Sequence, residues 1–184
     1  MKNYKGIVFL DYDGTTVDEV DRIKSATPKT VESLCKLKEN GYLTMLCSGR
    51  TKRFLEQDID SFQGAITCNG SYTEVEGEIL RDISIPDELL FRVIDEYFPR
   101  DTIIQMDTQE VTYYLHSDAE FFKSFCRLFN LPERWFAPWR FRKAENHITK
   151  LVMNYKTPDV FEDFKREFAN EFECAKHARE NSLA

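Results

Sequence analysis

The feature that most constrains this chain is an apolar run, Gly6-Ile7-Val8-Phe9-Leu10, broken at once by Asp11-Tyr12-Asp13-Gly14-Thr15. A short run with no polar alternation fits a strand of a parallel sheet, covered on both faces. The carboxylates that follow then stand at the strand's carboxyl end, where open α/β sheets bind their ligands. Side chains alternate with period two along a strand, so Asp11 and Asp13 share a side if the extended geometry persists. Gly14 lets the backbone turn sharply beside them.

The next 60 or so residues repeat the logic. Thr27-Pro28 reads as an N-cap with proline at the first helical position, and Val31, Leu34, Cys35 and Leu37 form an apolar stripe. Asn40-Gly41 ends that helix. Tyr42–Ser48 is a second apolar strand, Thr51 to about Asp58 a second helix, and Gly64–Gly70 (GAITCNG) contains a third short strand. Strand, helix, strand, helix, strand is the order of a doubly wound parallel sheet with right-handed crossovers.

After Asn69-Gly70 the pattern changes. Ser71–Val75 and Glu78–Ile83 flank Glu76-Gly77, a hairpin signal. A helix from Pro86, strands at Thr102–Met106 and Val111–Leu115, and a helix over Asp118–Phe129 follow, with Phe121, Phe122, Phe125 and Phe129 at core spacing. Then come a strand in His147–Tyr155, a helix over Pro158–Phe168 and a last strand at Glu171–Ala175. The expectation is two domains: 1–70, the N-terminal part of a Rossmann-like core, and 71–184, an α+β layer of mostly antiparallel strands.

Two carboxylates this close repel one another unless a cation sits nearby. Hard oxygen donors suit magnesium, which keeps several waters and can bridge to a phosphate oxygen. An ionised Asp11 can then attack phosphorus and form an aspartyl-phosphate, while Asp13 passes a proton to the leaving oxygen. The second strand ends in Cys47-Ser48-Gly49-Arg50, where a hydroxyl, a flexible backbone and an expected helix N-terminus coincide, a setting for an anion. Ser48, Gly49 and Arg50 form this candidate phosphate-binding group, with Arg50 read more as a surface or structural partner than as a catalytic group.

Composition limits the partners. With a net charge of −7, the 184-residue chain repels polyanions overall, which argues against broad nucleic-acid binding. No stretch approaches transmembrane length, and Asp11 interrupts the N-terminal apolar run, so neither a membrane anchor nor a signal peptide is expected. The five cysteines are scattered without a CxxC pair, so no zinc site or disulfide framework is suggested, and a reducing cytoplasmic setting with mostly buried thiols is expected. His116, His147 and His177 have no ligand spacing. The segment Trp135–His147, with Trp139, Arg140, Arg142 and Lys143, reads first as core aromatics alternating with solvent-facing cations. Oligomeric state is left open.

DYDGT after the first strand, SGR after the second and CNG after the third together resemble the haloacid dehalogenase-like hydrolase superfamily, most closely its Cof-like sugar-phosphatase branch, with a large α/β cap after the second motif. The resemblance implies Asp11 as nucleophile, Asp13 as acid/base whose main-chain carbonyl also binds Mg2+, Ser48 as phosphate ligand and Asn69 as substrate contact. It implies a small phosphorylated metabolite, a sugar phosphate, as substrate. The family also uses a lysine and a GDxxxD-like acidic motif, and no GD dipeptide occurs in this sequence, while Lys150 and Lys176 lack the expected setting. The chain therefore resembles the N-terminal two-thirds of the family unit and is expected to be weak or inactive as a phosphatase. Two rival readings are a phosphosugar mutase, with Arg140–Lys143 as a second phosphate clamp, and a non-catalytic binding or regulatory module.

Overall fold

The structure, a computed structural model, describes residues 3–18, 21–115, 119–129, 131–140, 147–175 and 182–183. Contacts divide the chain into two compact units, residues 1–83 and 84–184. Both combine helices and sheet, the first around a partial, Rossmann-like run of three parallel strands extended by an antiparallel hairpin and the second as an α+β layer.

In the first unit, β1 (Gly6–Asp11), α1 (Pro28–Glu39), β2 (Tyr42–Cys47) and β3 (Gly64–Thr67) follow in order, and the three strands pair in parallel. The α1 boundary is chemical. The Thr27 hydroxyl accepts from the Thr30 amide at 3.2 Å, Pro28 opens the first turn, and Gly41 leaves with φ +84°. Its buried residue is Leu34, packed with Leu46, Leu55, Phe62 and Ala65; Cys35, expected in the stripe, is exposed. The expected α-helix over Thr51–Asp58 is instead two 3-10 turns, Lys52–Leu55 and Ile59–Ser61. Asp58 stands between them at the N-cap of the second turn, with its carboxylate committed to the long-range partners described below.

The hairpin β4 (Tyr72–Val75) and β5 (Glu78–Asp82) turns through Glu76 and Gly77, both at positive φ, as a type I′ connection requires. It does not belong with the later strands. β4 pairs antiparallel with β3, giving the sheet order β1-β2-β3-β4-β5 and moving the observed division from residue 70 to after Ile83. Backbones close tightly here: a Cβ on Gly64 would lie 2.5 Å from Met45 Sδ and 2.6 Å from the Glu74 carbonyl.

β2 is buried on both faces at Leu43–Leu46, but β1 is not. It forms the sheet edge, and Ile7 and Phe9, on one face, are 52% and 58% exposed. β1 therefore lacks the two-sided cover expected of it and presents an apolar strand at the sheet edge.

The second unit contains α2 (Asp87–Tyr97), β6 (Ile103–Asp107), β7 (Thr112–Leu115), α3 (Ala119–Phe129), β8 (Phe136–Pro138), β9 (Lys150–Asn154), α4 (Pro158–Glu167) and β10 (Ser182–Leu183). The sheet order is β10-β9-β6-β7-β8, antiparallel except for β7 with β8. Leu90, Val93, Ile94 and Tyr97 of α2 meet Ile104 and Met106 of β6 and Val160 and Phe164 of α4 in one core. The strand expected at Glu171–Ala175 is absent. The Glu171 and Phe172 amides both donate to the Phe168 carbonyl, and the Phe172 ring packs on Phe164 and Phe168, so this apolar segment finishes α4. The edge of β9 is paired by β10 instead. β8, a short strand ending in proline, carries too weak a local signal to be read. Trp135 is buried and Trp139 packs edge-to-face on Tyr113 at 5.5 Å, with Arg140 exposed, so these two tryptophans are structural. Phe122 is buried; the side chains of Phe121, Phe125 and Phe129, and residues His116, Arg142, Lys143, Lys176 and His177, lie outside the described set.

Asp107 pins β6 from inside. Its carboxylate accepts from the Thr112 hydroxyl at 2.6 Å and its carbonyl from the Thr149 amide at 2.8 Å. Burial pushes this carboxyl above its ordinary range, against the opposing pull of the Thr112 hydrogen bond and the Lys150 charge. A raised folded-state value means that its stabilising effect is full below the unfolded carboxyl range and is lost as pH rises through the folded value. Asp107→Asn keeps the acceptor for Thr112 without the charge. Its melting temperature at pH 7 is expected to exceed wild type by about 4–8 °C, the shift for ~1 kcal/mol in a unit this size. The gap should close as pH falls toward 4. A gap that widens on acidification would refute this role.

Among the described residues, no helix is long and apolar enough to cross a membrane, and all five cysteines are free, with Cys68 and Cys126 buried.

Candidate active site

The site grows from the tips of three parallel strands. Asp11 stands opposite Cys47 in the β1–β2 register, and Cys47 opposite Ile66 in β3. The zipper continues past the strand ends. The Tyr12 amide donates to the Cys47 carbonyl at 3.1 Å, the Ser48 amide to Ile66 at 2.9 Å, and the Cys68 amide to Arg50 at 3.0 Å. The segments holding Asp11, Ser48 and Asn69 are thereby fixed side by side.

Alternation sorts the first motif. Asp11 and Asp13 are exposed, while Tyr12 between them is 3% exposed and sits in the core with Leu34 and Leu46. Its hydroxyl donates to Asp58 Oδ2 at 2.7 Å, and Asp58 Oδ1 accepts from the Ala26 amide at 2.9 Å. Burial first, then this hydrogen bond, push the Tyr12 hydroxyl far above its ordinary range, so it stays a donor. The chain then folds back: the Thr16 and Val17 amides share the Tyr12 carbonyl, Gly14 at φ +81° donates to the Val17 carbonyl, and the Thr16 hydroxyl caps the Asp11 carbonyl at 2.8 Å. Burial raises the Cys47 thiol above its usual value and the negative charge of Asp11 adds to it, which makes Cys47 an inert neighbour.

At the second motif Ser48 is buried, and its hydroxyl accepts from the Arg50 amide at 3.1 Å. Gly49 has no room for a side chain, because a Cβ there would meet Asn69 Oδ1 at 2.6 Å. Asn69 takes a left-handed conformation (φ 55°, ψ 31°), which an Asn-Gly turn accommodates and which brings its amide against Gly49. The helix dipole expected to help this site is missing, since only a four-residue 3-10 turn follows. The buried Thr51 hydroxyl has no hydrogen-bond partner among the described residues.

Arg50 closes the site. Its Nη2 donates to Asp13 Oδ1 at 2.5 Å and its Nε to Oδ2 at 3.2 Å, a two-pronged ion pair, while the guanidinium lies over the Tyr12 ring at 5.3 Å. Sequence reasoning missed Asp58 and the anchoring role of Tyr12. The burial parity of Tyr12 between two exposed acids was the available signal, whereas nothing local marks Asp58, 46 positions away.

Among the described residues, no group of three His, Cys, Asp or Glu side chains forms a metal-ligand set. The oxygens that are present, the exposed Asp11 carboxylate and the main chain beside it, are hard donors. They fit a cation that retains several waters.

Residues 8–182 match the haloacid dehalogenase-like hydrolase family, and the chain belongs to it. No curated protein sequence matches the chain. Among solved structures, a hypothetical protein from Geobacillus kaustophilus is 20% identical with TM-score 0.79, covering 98% of this chain and 68% of that one. A phosphatase of the haloalkanoate (HAD) superfamily from Bacteroides thetaiotaomicron is 15% identical with TM-score 0.73, covering 98% and 66%. A sugar phosphatase of HAD subclass IIB is 17% identical with TM-score 0.68, covering 97% and 68%. The chain thus spans about two thirds of the length of these structures, and at such identities they share its fold.

Proposed function

We propose that this chain carries the nucleophile half of a magnesium-dependent phosphatase that forms an aspartyl-phosphate on Asp11. The substrate is a small phosphorylated metabolite, a sugar phosphate, as in the Cof-like branch. The supporting observation is the strand-tip register: Asp11, the last residue of β1, stands opposite Cys47, the last of β2, so that Asp13 and Ser48 follow at neighbouring strand ends. The subclass IIB sugar phosphatase among the fold neighbours points to the same substrate class.

In this reading the Asp11 carboxylate attacks phosphorus, and Ser48, Gly49 and Asn69 hold phosphoryl oxygens. Asp13 gives a proton to the leaving oxygen and later takes one from the hydrolytic water. Asp11 and the Asp13 carbonyl would hold Mg2+, which when bound offsets charge between Asp11 and the phosphoryl group. We assign residues 84–184 to the cap and place the protein in the cytoplasm, in keeping with its free thiols.

With so few ligands among the described residues, a cation is expected to be held weakly and turnover to be slow, below about 1 s⁻¹, the lower end of ordinary enzymes. The test is phosphate release from a panel of sugar phosphates and nucleotides, with Mg2+ and with EDTA. Release that requires Mg2+ and favours sugar phosphates supports the reading. Release indifferent to EDTA would sink it.

A further inference from the structure

We propose that Arg50 is an exchangeable clamp: its guanidinium holds the Asp13 carboxylate until a phosphoryl group arrives, then transfers to the phosphoryl oxygens and releases Asp13. The inference rests on the phosphatase reading above and adds a coupling between substrate arrival and the freeing of Asp13.

Three observations carry it. First, the pair is well formed but inexpensive to break. Arg50 and Asp13 meet through two hydrogen bonds, yet their side chains are 34% and 51% exposed. Solvent screens such pairs to a small net stabilisation. A phosphate monoester dianion brings more charge and the same two-pronged geometry, so it competes favourably for the fork.

Second, the root of Arg50 is fixed where the phosphoryl group must sit. The Arg50 amide donates to Ser48 Oγ at 3.1 Å, and its carbonyl accepts from the Cys68 amide at 3.0 Å. Only the side chain has to turn.

Third, the turning guanidinium has a platform. It lies 5.3 Å from the centre of the Tyr12 ring, and that ring is held by Asp58, itself held by the Ala26 amide. The stacking contact can persist while the fork changes partner, which lowers the cost of exchange. A purely structural arginine would need neither an exposed partner nor a root beside Ser48.

The experiment uses the 184-residue chain, inorganic phosphate and Mg2+, with ¹H–¹⁵N spectra that include arginine Nε signals. Phosphate is expected to move the Arg50 Nε and Ser48 amide signals with one common affinity. Arg50→Gln should weaken phosphate by about tenfold or more, the scale of a hydrogen bond to a charged group. Asp13→Asn, which removes the competitor, should tighten it several-fold, and most of that gain should vanish in the Arg50→Gln background. If the Ser48 amide moves while Arg50 Nε stays put and the two substitutions act additively, the clamp is refuted and the phosphatase reading stands. If phosphate moves neither signal, both fall.

Discussion

Asp11→Asn is expected to remove Mg2+-dependent phosphate release by at least about 10³-fold, because an amide cannot serve as the attacking carboxylate. The substitution is nearly isosteric, and Asp11 is exposed at the end of β1, so the fold should survive it. The Thr16 hydroxyl bonds to the Asp11 carbonyl, which the substitution leaves in place. Loss of activity would therefore report chemistry. The companion change separates the two acids. Asp13→Asn should slow hydrolysis of a sugar phosphate by about 10²–10⁴-fold, the usual contribution of a general acid. It should slow the first step, transfer of the phosphoryl group to Asp11, much less with an aryl phosphate, since that leaving group departs without a proton, while release of phosphate from Asp11 stays slow. Mass spectrometry of the acid-quenched protein should find phosphate on Asp11 in wild type and Asp13→Asn, and none in Asp11→Asn. Equal rates for Asp11→Asn and wild type would end the nucleophile assignment.

The second large effect is structural and lies at Tyr97. Its side chain is fully buried and meets Phe164 edge-on at 5.1 Å and Phe168 at 5.9 Å. Its hydroxyl donates to Glu167 at 3.0 Å and its carbonyl accepts from the Thr102 hydroxyl at 2.7 Å. Burial first, with the Glu167 hydrogen bond and charge, raises the Tyr97 hydroxyl far above its ordinary range, so it remains a neutral donor across physiological pH. Tyr97→Ala should cost about 3–5 kcal/mol, the penalty for emptying a large aromatic site that cannot collapse. That is a large share of the ~5–15 kcal/mol that holds a typical domain together. Tyr97→Phe keeps the ring and forfeits one hydrogen bond, so about 1 kcal/mol is expected. Urea unfolding of both variants, followed by near-UV circular dichroism, measures the difference. A loss below 1 kcal/mol for the alanine variant would show that Tyr97 does not centre this core.

Where the sequence could be read, short-range chemistry decided the outcome. Thr27-Pro28 and Asn40-Gly41 bracket α1 because a cap and a left-handed exit are local properties. Glu76-Gly77 turns the hairpin for the same reason. The apolar run before Asp11 fixes a strand that ends in acid whatever surrounds it. Elsewhere, local signals misled. Phe172 and Cys174 look like strand residues, yet the Phe168 carbonyl and the rings of Phe164 and Phe168 draw Phe172 into the end of α4. The hairpin after Gly70 has the right alternation, but alternation does not say which sheet edge will accept it.

The sequence by itself determined that two carboxylates and a Ser-Gly-Arg turn lie at strand ends, because apolar runs and turn residues act within a few positions. Only the tertiary structure decided that the hairpin extends the first sheet, that Tyr12 hangs on Asp58, and that Arg50 grips Asp13. The latter two pairings span 46 and 37 positions respectively, and they depend on strand order and register, which no local pattern encodes.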